Sequence, residues 1–238
     1  MSLPVFNSTN YTVELPISKK KIIYRPYNIE EEKALLLAKE SENVLDLLEC
    51  MFNITDKCVI DPSSFDSKTL NWIDFTKLIM LIRSKSISEK ISLSFPCPHC
   101  ETSISYENKL DNLFIIENIG ISKKDVEMGN GFSFSIVVPN IQYITSIEKS
   151  DNNIDKMKDT LMYSIDKIWH DGKMYPVEDI EELRTKIINN LSYSDIVKIF
   201  ANIKDMATAS FVINTKCTNE DCGKDINIEQ ENVLNFFA

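Results

Sequence analysis

Four of the six cysteines fall into two close pairs. Cys97-Pro98-His99-Cys100 has two residues between its cysteines, and Cys217-Thr218-Asn219-Glu220-Asp221-Cys222 has four. Thiolate pairs at such spacing suit a tetrahedral zinc ion, with Zn–S near ~2.3 Å. A tight turn brings two sulfurs to one ion, a longer knuckle does the same more loosely, and Gly223 eases the turn after Cys222. The expectation is one structural Zn2+ on Cys97, Cys100, Cys217 and Cys222. Four thiolates close the coordination shell and leave no position for water or substrate. His99 inside the first knuckle reads as a solvent-facing turn residue, with replacement of a cysteine ligand as its alternative. His170 has no metal-spaced partner, and Cys50 and Cys58 read as small buried hydrophobes.

Two other readings of these thiols stay open. One is inert packing. The other is redox chemistry, because Cys-Pro-His-Cys is also the active-site tetrapeptide of oxidising thioredoxin-like proteins. That chemistry places the first cysteine at a helix N-terminus, where the dipole favours the thiolate. Here Glu101-Thr102-Ser103-Ile104-Ser105-Tyr106 alternates like a strand, and Cys97/Cys100 chemistry would leave Cys217 and Cys222 without a role. The sequence has no Gly-rich phosphate loop and no nucleophile elbow, so no enzyme is expected.

The elements around the cysteines must bring the two pairs together. Ile91–Phe95 and Ser103–Tyr106 alternate on either side of the first pair, and Ser210–Asn214 and Ile226–Ile228 flank the second. Each pair is followed by a similar tail, Lys109–Phe114 and Asn232–Phe237. The pattern predicts two knuckles on two β-hairpins, forming one ribbon. Ahead of them, Tyr11–Leu15 and Lys21–Tyr24 read as a hairpin turned at Pro16–Lys19, with Lys19, Lys20 and Lys21 as its solvated tip. Asn28 caps a helix with Glu31 as the return half of a capping box, followed by the helix formers Ala34–Ala38. Val44–Met51 reads as a second helix. Pro62-Ser63-Ser64 interrupts, and a third helix is expected from Ser67 to Arg83. Asp125–Met128 and Phe132–Val138 form a strand pair through Gly129-Asn130-Gly131. Three helical faces follow: Met157, Leu161, Ile165 and Trp169; Ile180, Leu183, Ile187 and Leu191; and Ile196, Ile199, Phe200 and Ile203. Asp171-Gly172 makes a turn.

The fold class is therefore α+β: an N-terminal β-hairpin and helices over 1–86, then a split four-cysteine zinc ribbon over 87–238. The ribbon halves are 87–114 and 209–238, with a β and helical insertion at 115–208; the two regions can also pack as one compact unit. The 238 residues are 43% hydrophobic and carry a net charge of -10. That charge disfavours nucleic acid and anionic membrane surfaces, so a zinc-ribbon regulator that binds nucleic acid is the weaker alternative. The N-terminus lacks a basic region followed by an apolar run. The longest apolar stretch, Leu78–Ile82, falls far short of the ~20 residues a bilayer needs. A soluble protein made in a reducing cytosol is expected.

The N-terminal third carries a resemblance. Glu14-Leu15-Pro16, Tyr24-Arg25-Pro26-Tyr27, Glu30–Ser41 and Leu81–Ser86 together resemble the opening of T4-like phage baseplate hub and hub-assembly proteins; the remainder fits in outline. The resemblance implies a structural or assembly component of a contractile-tail baseplate. Such a protein is made in the host cytoplasm, placed in the virion tail and partnered by other baseplate and tail proteins. It carries over no catalytic residue. Arg25 reads first as the partner of a nearby acid, and second as a contact residue.

Overall fold

The computed structural model describes residues 8–60, 65–129 and 131–230. The Pro62-Ser63-Ser64 break, Asn130 and the Asn232–Phe237 tail lie outside them.

The chain opens as expected, with β1 (Tyr11–Glu14) paired antiparallel to β2 (Lys21–Tyr24). Lys19, Lys20 and Lys21 are exposed at the tip. Helix α1 (Ile29–Glu40) starts at a complete capping box between Asn28 and Glu31. Helix α2 (Val44–Cys58) runs seven residues beyond the expected Met51, because its apolar face continues through Phe52, Ile54 and Cys58. Helix α3 (Trp72–Ser86) begins later than Ser67: Ser67–Thr69 is a 3-10 turn, and the Asn71 side chain caps the helix. Phe52 and Phe75 pack with ring centroids 5.0 Å apart, seating α2 on α3. Asp74 is fully buried and accepts the Ile17 and Ser18 amides at 2.8 and 2.9 Å, so it fastens the first hairpin's turn to α3.

The first cysteine hairpin is β3 (Lys90–Pro96) with β4 (Ser103–Lys109). The short helix α4 (Leu110–Leu113) then leads into β5 (Phe114–Glu117). A four-stranded sheet follows, built from β6 (Lys123–Glu127), β7 (Phe132–Val137), β8 (Ile165–His170) and β9 (Lys173–Pro176) in that order. Between β7 and β8 lie α5 (Gln142–Ile147) and α6 (Asn153–Met162). Helices α7 (Ile180–Lys186) and α8 (Tyr193–Lys204) return the chain to β10 (Thr208–Lys216) and β11 (Asp225–Gln230).

Two expected helical faces are corrected. Ile165 and Trp169 belong to β8, not to a helix continuing from Met157 and Leu161. A spacing of four fits a helix stripe, but it also fits one face of a strand. Pairing of β8 with β7 on one side and β9 on the other decides for the strand. A bulge at Ser135/Ile136 lets Ile165 and Ile168, three apart, both turn inward. The second face ends early: α7 stops at Lys186, Ile188–Asn190 forms a 3-10 turn, and Leu191 follows it.

Buried residues from Leu15 to Phe211 make one continuous apolar cluster. Backbone bonds tie the N-terminal helices to the later sheet: Trp72 N–H to Pro139 O at 3.0 Å, and Ile141 N–H to Leu70 O at 2.9 Å. The fold is α+β. No described helix is long and apolar enough to cross a membrane.

Candidate metal centre

The sulfurs of Cys97, Cys100, Cys217 and Cys222 all lie within 4.8 Å of one another. Cys100 and Cys217, 117 residues apart, have sulfurs 3.5 Å apart. Cys97 is 1% exposed and Cys217 7%, while Cys100 and Cys222 are half-buried.

The two halves are built alike. At the end of β3, the Cys97 amide donates to Thr102 O and its carbonyl accepts from the Glu101 amide, both at 2.9 Å. The His99 amide points at the Cys97 sulfur, 3.4 Å away. At the end of β10, the Cys217 amide donates to Lys224 O at 2.9 Å, and Asn219 O receives the Cys222 and Gly223 amides. In both knuckles the residue after the second cysteine takes a left-handed backbone: Glu101 at φ 61° and Gly223 at φ 51°. Glycine takes that conformation freely, whereas a glutamate is strained by about 1–2 kcal/mol.

The hairpins belong to different sheets: β3 and β4 stand alone, while β10 lies between β11 and β5. They meet through side chains. Cys97, Ile104, Cys217 and Ile226 form a small buried cluster, closed around by Phe95 and Ile228. Ile104 and Ile226 sit in the return strands, each shortly after its knuckle. Asn219 reaches across and donates to the Thr102 hydroxyl at 3.2 Å. Spacing marked the cysteines; nothing in the sequence marked Thr102 and Asn219, because their contact crosses 117 residues.

The electrostatics of the bare thiols are lopsided. The Thr102 hydroxyl and amide beside Cys100 hold its thiol down, to about 6. The Asn219 amide also pulls Cys217 down, but burial and the neighbouring sulfurs outweigh it and push that thiol up to about 12. Without a cation, one thiolate discourages the next. A divalent cation at the centre reverses that order, because its own charge is the largest in the site.

The other candidates lie elsewhere. His99 is exposed on the first knuckle. His170 stacks on Phe132 with ring centroids 4.0 Å apart. Cys50 is half-buried, and Cys58 is fully buried with its thiol pushed up to about 12 by that burial. Arg25 makes a two-pronged ion pair with Glu31, both contacts 2.8 Å, and also donates to the carbonyls of Pro26 and Lys57. Pairing with an acid is therefore its observed contact.

A family model described as T4 bacteriophage base plate protein matches residues 8–238, nearly the whole chain. No match emerges among curated proteins or among solved structures. The match takes in the landmarks of the N-terminal third and both cysteine hairpins, and the chain belongs to the T4 bacteriophage base plate protein family.

Proposed function

We propose that the chain is a non-enzymatic structural or assembly component of the hub of a contractile-tail baseplate. It works by protein–protein contact, and one structural Zn2+ on Cys97, Cys100, Cys217 and Cys222 fastens its two cysteine hairpins. The family match along residues 8–238 carries the baseplate reading. The sulfur cluster supports the metal.

The donor set fits. Zinc at ~2.3 Å from four sulfurs requires sulfur–sulfur edges of about 3.8 Å. The 3.5 Å between Cys100 and Cys217 and the 4.8 Å ceiling on the whole set bracket that value. Four soft thiolates suit zinc, or iron in the same geometry. When bound, the ion supplies a cross-link and neutralises the thiolates. The chain's own part is to hold them: the His99 amide faces the Cys97 sulfur and the Asn219 amide the Cys217 sulfur, and Ile104 and Ile226 pack against the inner side.

The rivals draw less support. A thioredoxin-like use of Cys97 and Cys100 needs a helix N-terminus, whereas Cys100 is followed by Glu101 and then β4. A nucleic-acid-binding regulator sits poorly with a net charge of -10.

The test is an affinity-tagged chain recovered from infected cells, with its partners identified by mass spectrometry and its metal by elemental analysis. Hub and tail proteins, together with one zinc per chain, are expected. Recovery of only nucleic-acid-processing proteins would overturn the partner reading, and iron or no metal would overturn zinc. Mass spectrometry of purified virions then separates the two roles, because a hub subunit stays in the particle and an assembly factor does not.

A further inference from the structure

Helix α1 turns an apolar face to solvent. Ile29 is 79% exposed, Leu37 57% and Leu36 54%. The run Leu35-Leu36-Leu37 makes this unavoidable, because successive helical residues point about 100° apart. Inward, α1 offers Glu31 (buried), with Leu35 and Ala38 half-buried. Outward lies the stripe Ile29, Lys33, Leu36, Leu37 and Glu40, all exposed and spaced i, i+4, i+7, i+8, i+11. That spacing is the seam of a helix that packs on something. The helix is held by its capping box, the Arg25–Glu31 pair and the packing of Leu35 and Ala38 against the core, which leaves the outward seam for another contact.

We propose that this stripe is a self-association surface, on which a second copy of the chain lays its own α1 antiparallel about a twofold axis at Leu36. The order of charges selects that occupant. With the axis at Leu36, Lys33 stands within one residue, about 1.5 Å along the helix, of the level of the partner's Glu40. Lys39 stands equally close in level to the partner's Glu32, on the same flank of the seam. Symmetry repeats both contacts, so four opposite-charge pairs surround the central leucines. A parallel pairing would set Lys33 against Lys33 and Glu40 against Glu40, and would align the helix dipoles. A chain of net charge -10 resists close approach of its copies in general. A seam with both signs in reciprocal order relieves that repulsion locally. The helix is only about 18 Å long, too short to supply the ~800 Å² per partner of a tight dimer. The association is therefore weak and depends on concentration.

Sedimentation velocity on the purified full chain tests this, from low micromolar to several hundred micromolar. Wild type should pass from monomer to dimer across that range. Leu36→Glu should weaken the dimer by at least about tenfold. Circular dichroism should stay unchanged, because Leu36 is exposed. Two charge variants fix the geometry. Lys33→Glu/Lys39→Glu and Glu32→Lys/Glu40→Lys should each be monomeric alone, and should form a heterodimer when mixed. A wild-type monomer at every concentration overturns the proposal, as does a dimer indifferent to Leu36→Glu. Charge variants that fail to pair on mixing overturn the antiparallel arrangement. A monomer whose Leu36→Glu variant loses a tail-protein partner gives the stripe to a different occupant.

Discussion

Two single residues show where local chemistry and local strain act. Arg25 and Glu31 form the ion pair that also completes the α1 cap, since Glu31 accepts the Asn28 amide at 2.8 Å. Arg25→Ala should cost about 2–3 kcal/mol in denaturant unfolding, because it leaves a buried carboxylate with its charge unpaired. The hydrogen bond from Arg25 lowers the Glu31 carboxyl below its unfolded value of 4.5. A group lowered in this way stabilises the fold above pH 4.5, and its contribution disappears as the pH falls through the lowered value. Glu31→Gln should therefore flatten the acid limb of the stability curve below pH 4.5 while lowering stability at neutral pH; an unchanged acid limb would refute this. Glu101 is the opposite case, a side chain at odds with its backbone. Glu101→Gly should stabilise the chain by about 0.5–1 kcal/mol, the relief of left-handed strain less the added freedom of the unfolded state. Thermal unfolding checks it. The cysteines and the capping box were legible in the sequence because their spacing is local. The left-handed backbone at Glu101 was not, since glutamate gives no sign of it.

Elements were legible where one short segment settles its own conformation. The hairpin of β1 and β2 carries its turn residues, α1 carries its cap, and β3 and β4 alternate. β5 and β8 were missed because the strands that fix them, β10 and β7, lie far along the chain, and β9 was missed with β8, its hairpin partner across Asp171-Gly172. Phe114–Glu117 is a strand because Phe211 and its neighbours pair with it, with Phe114 and Phe211 rings 5.4 Å apart. Some tertiary ties are equally silent in sequence. Asp74 belongs to α3, yet its carboxylate holds the turn of the first hairpin through two backbone amides, while also accepting from the Asn71 side chain. Asp74→Ala should cost about 1–3 kcal/mol, because it removes the buried acceptor that both amides share. Hydrogen exchange should show the loss first at Ile17 and Ser18. Equal protection at both amides in the variant would mean that the turn is held otherwise.

Among the described residues there are two cores of unequal size. The large cluster from Leu15 to Phe211 needs no metal to bury its apolar surface. The small one around Cys97, Ile104, Cys217 and Ile226 joins two hairpins from separate sheets, and short hairpins are marginal in water. Metal removal should therefore act unevenly. In Cys217→Ser, or after chelation, zinc should fall from one equivalent toward none, and limited proteolysis should cut at the end of β10 and in β11. Most of the helical circular dichroism should remain. Cys50→Ser should keep its zinc. A Cys217→Ser protein with a full equivalent and a protected C-terminal segment would show that the four thiolates are not the ligands.

The 117-residue separation of Cys100 and Cys217 also sets a clock. A ribosome adds about 5–20 residues per second, so the first knuckle leaves the tunnel roughly 6–23 seconds before the second. During that interval the nascent chain offers an incoming ion two sulfurs and a hairpin with no second half. The centre is completed only once Cys217 and Cys222 have emerged, after the helices and the four-stranded sheet. A product that stops short of Cys217 keeps a pair of uncapped thiols, with the Cys100 thiol beside Thr102. Oxidants and stray metals should find such fragments before they find the finished chain.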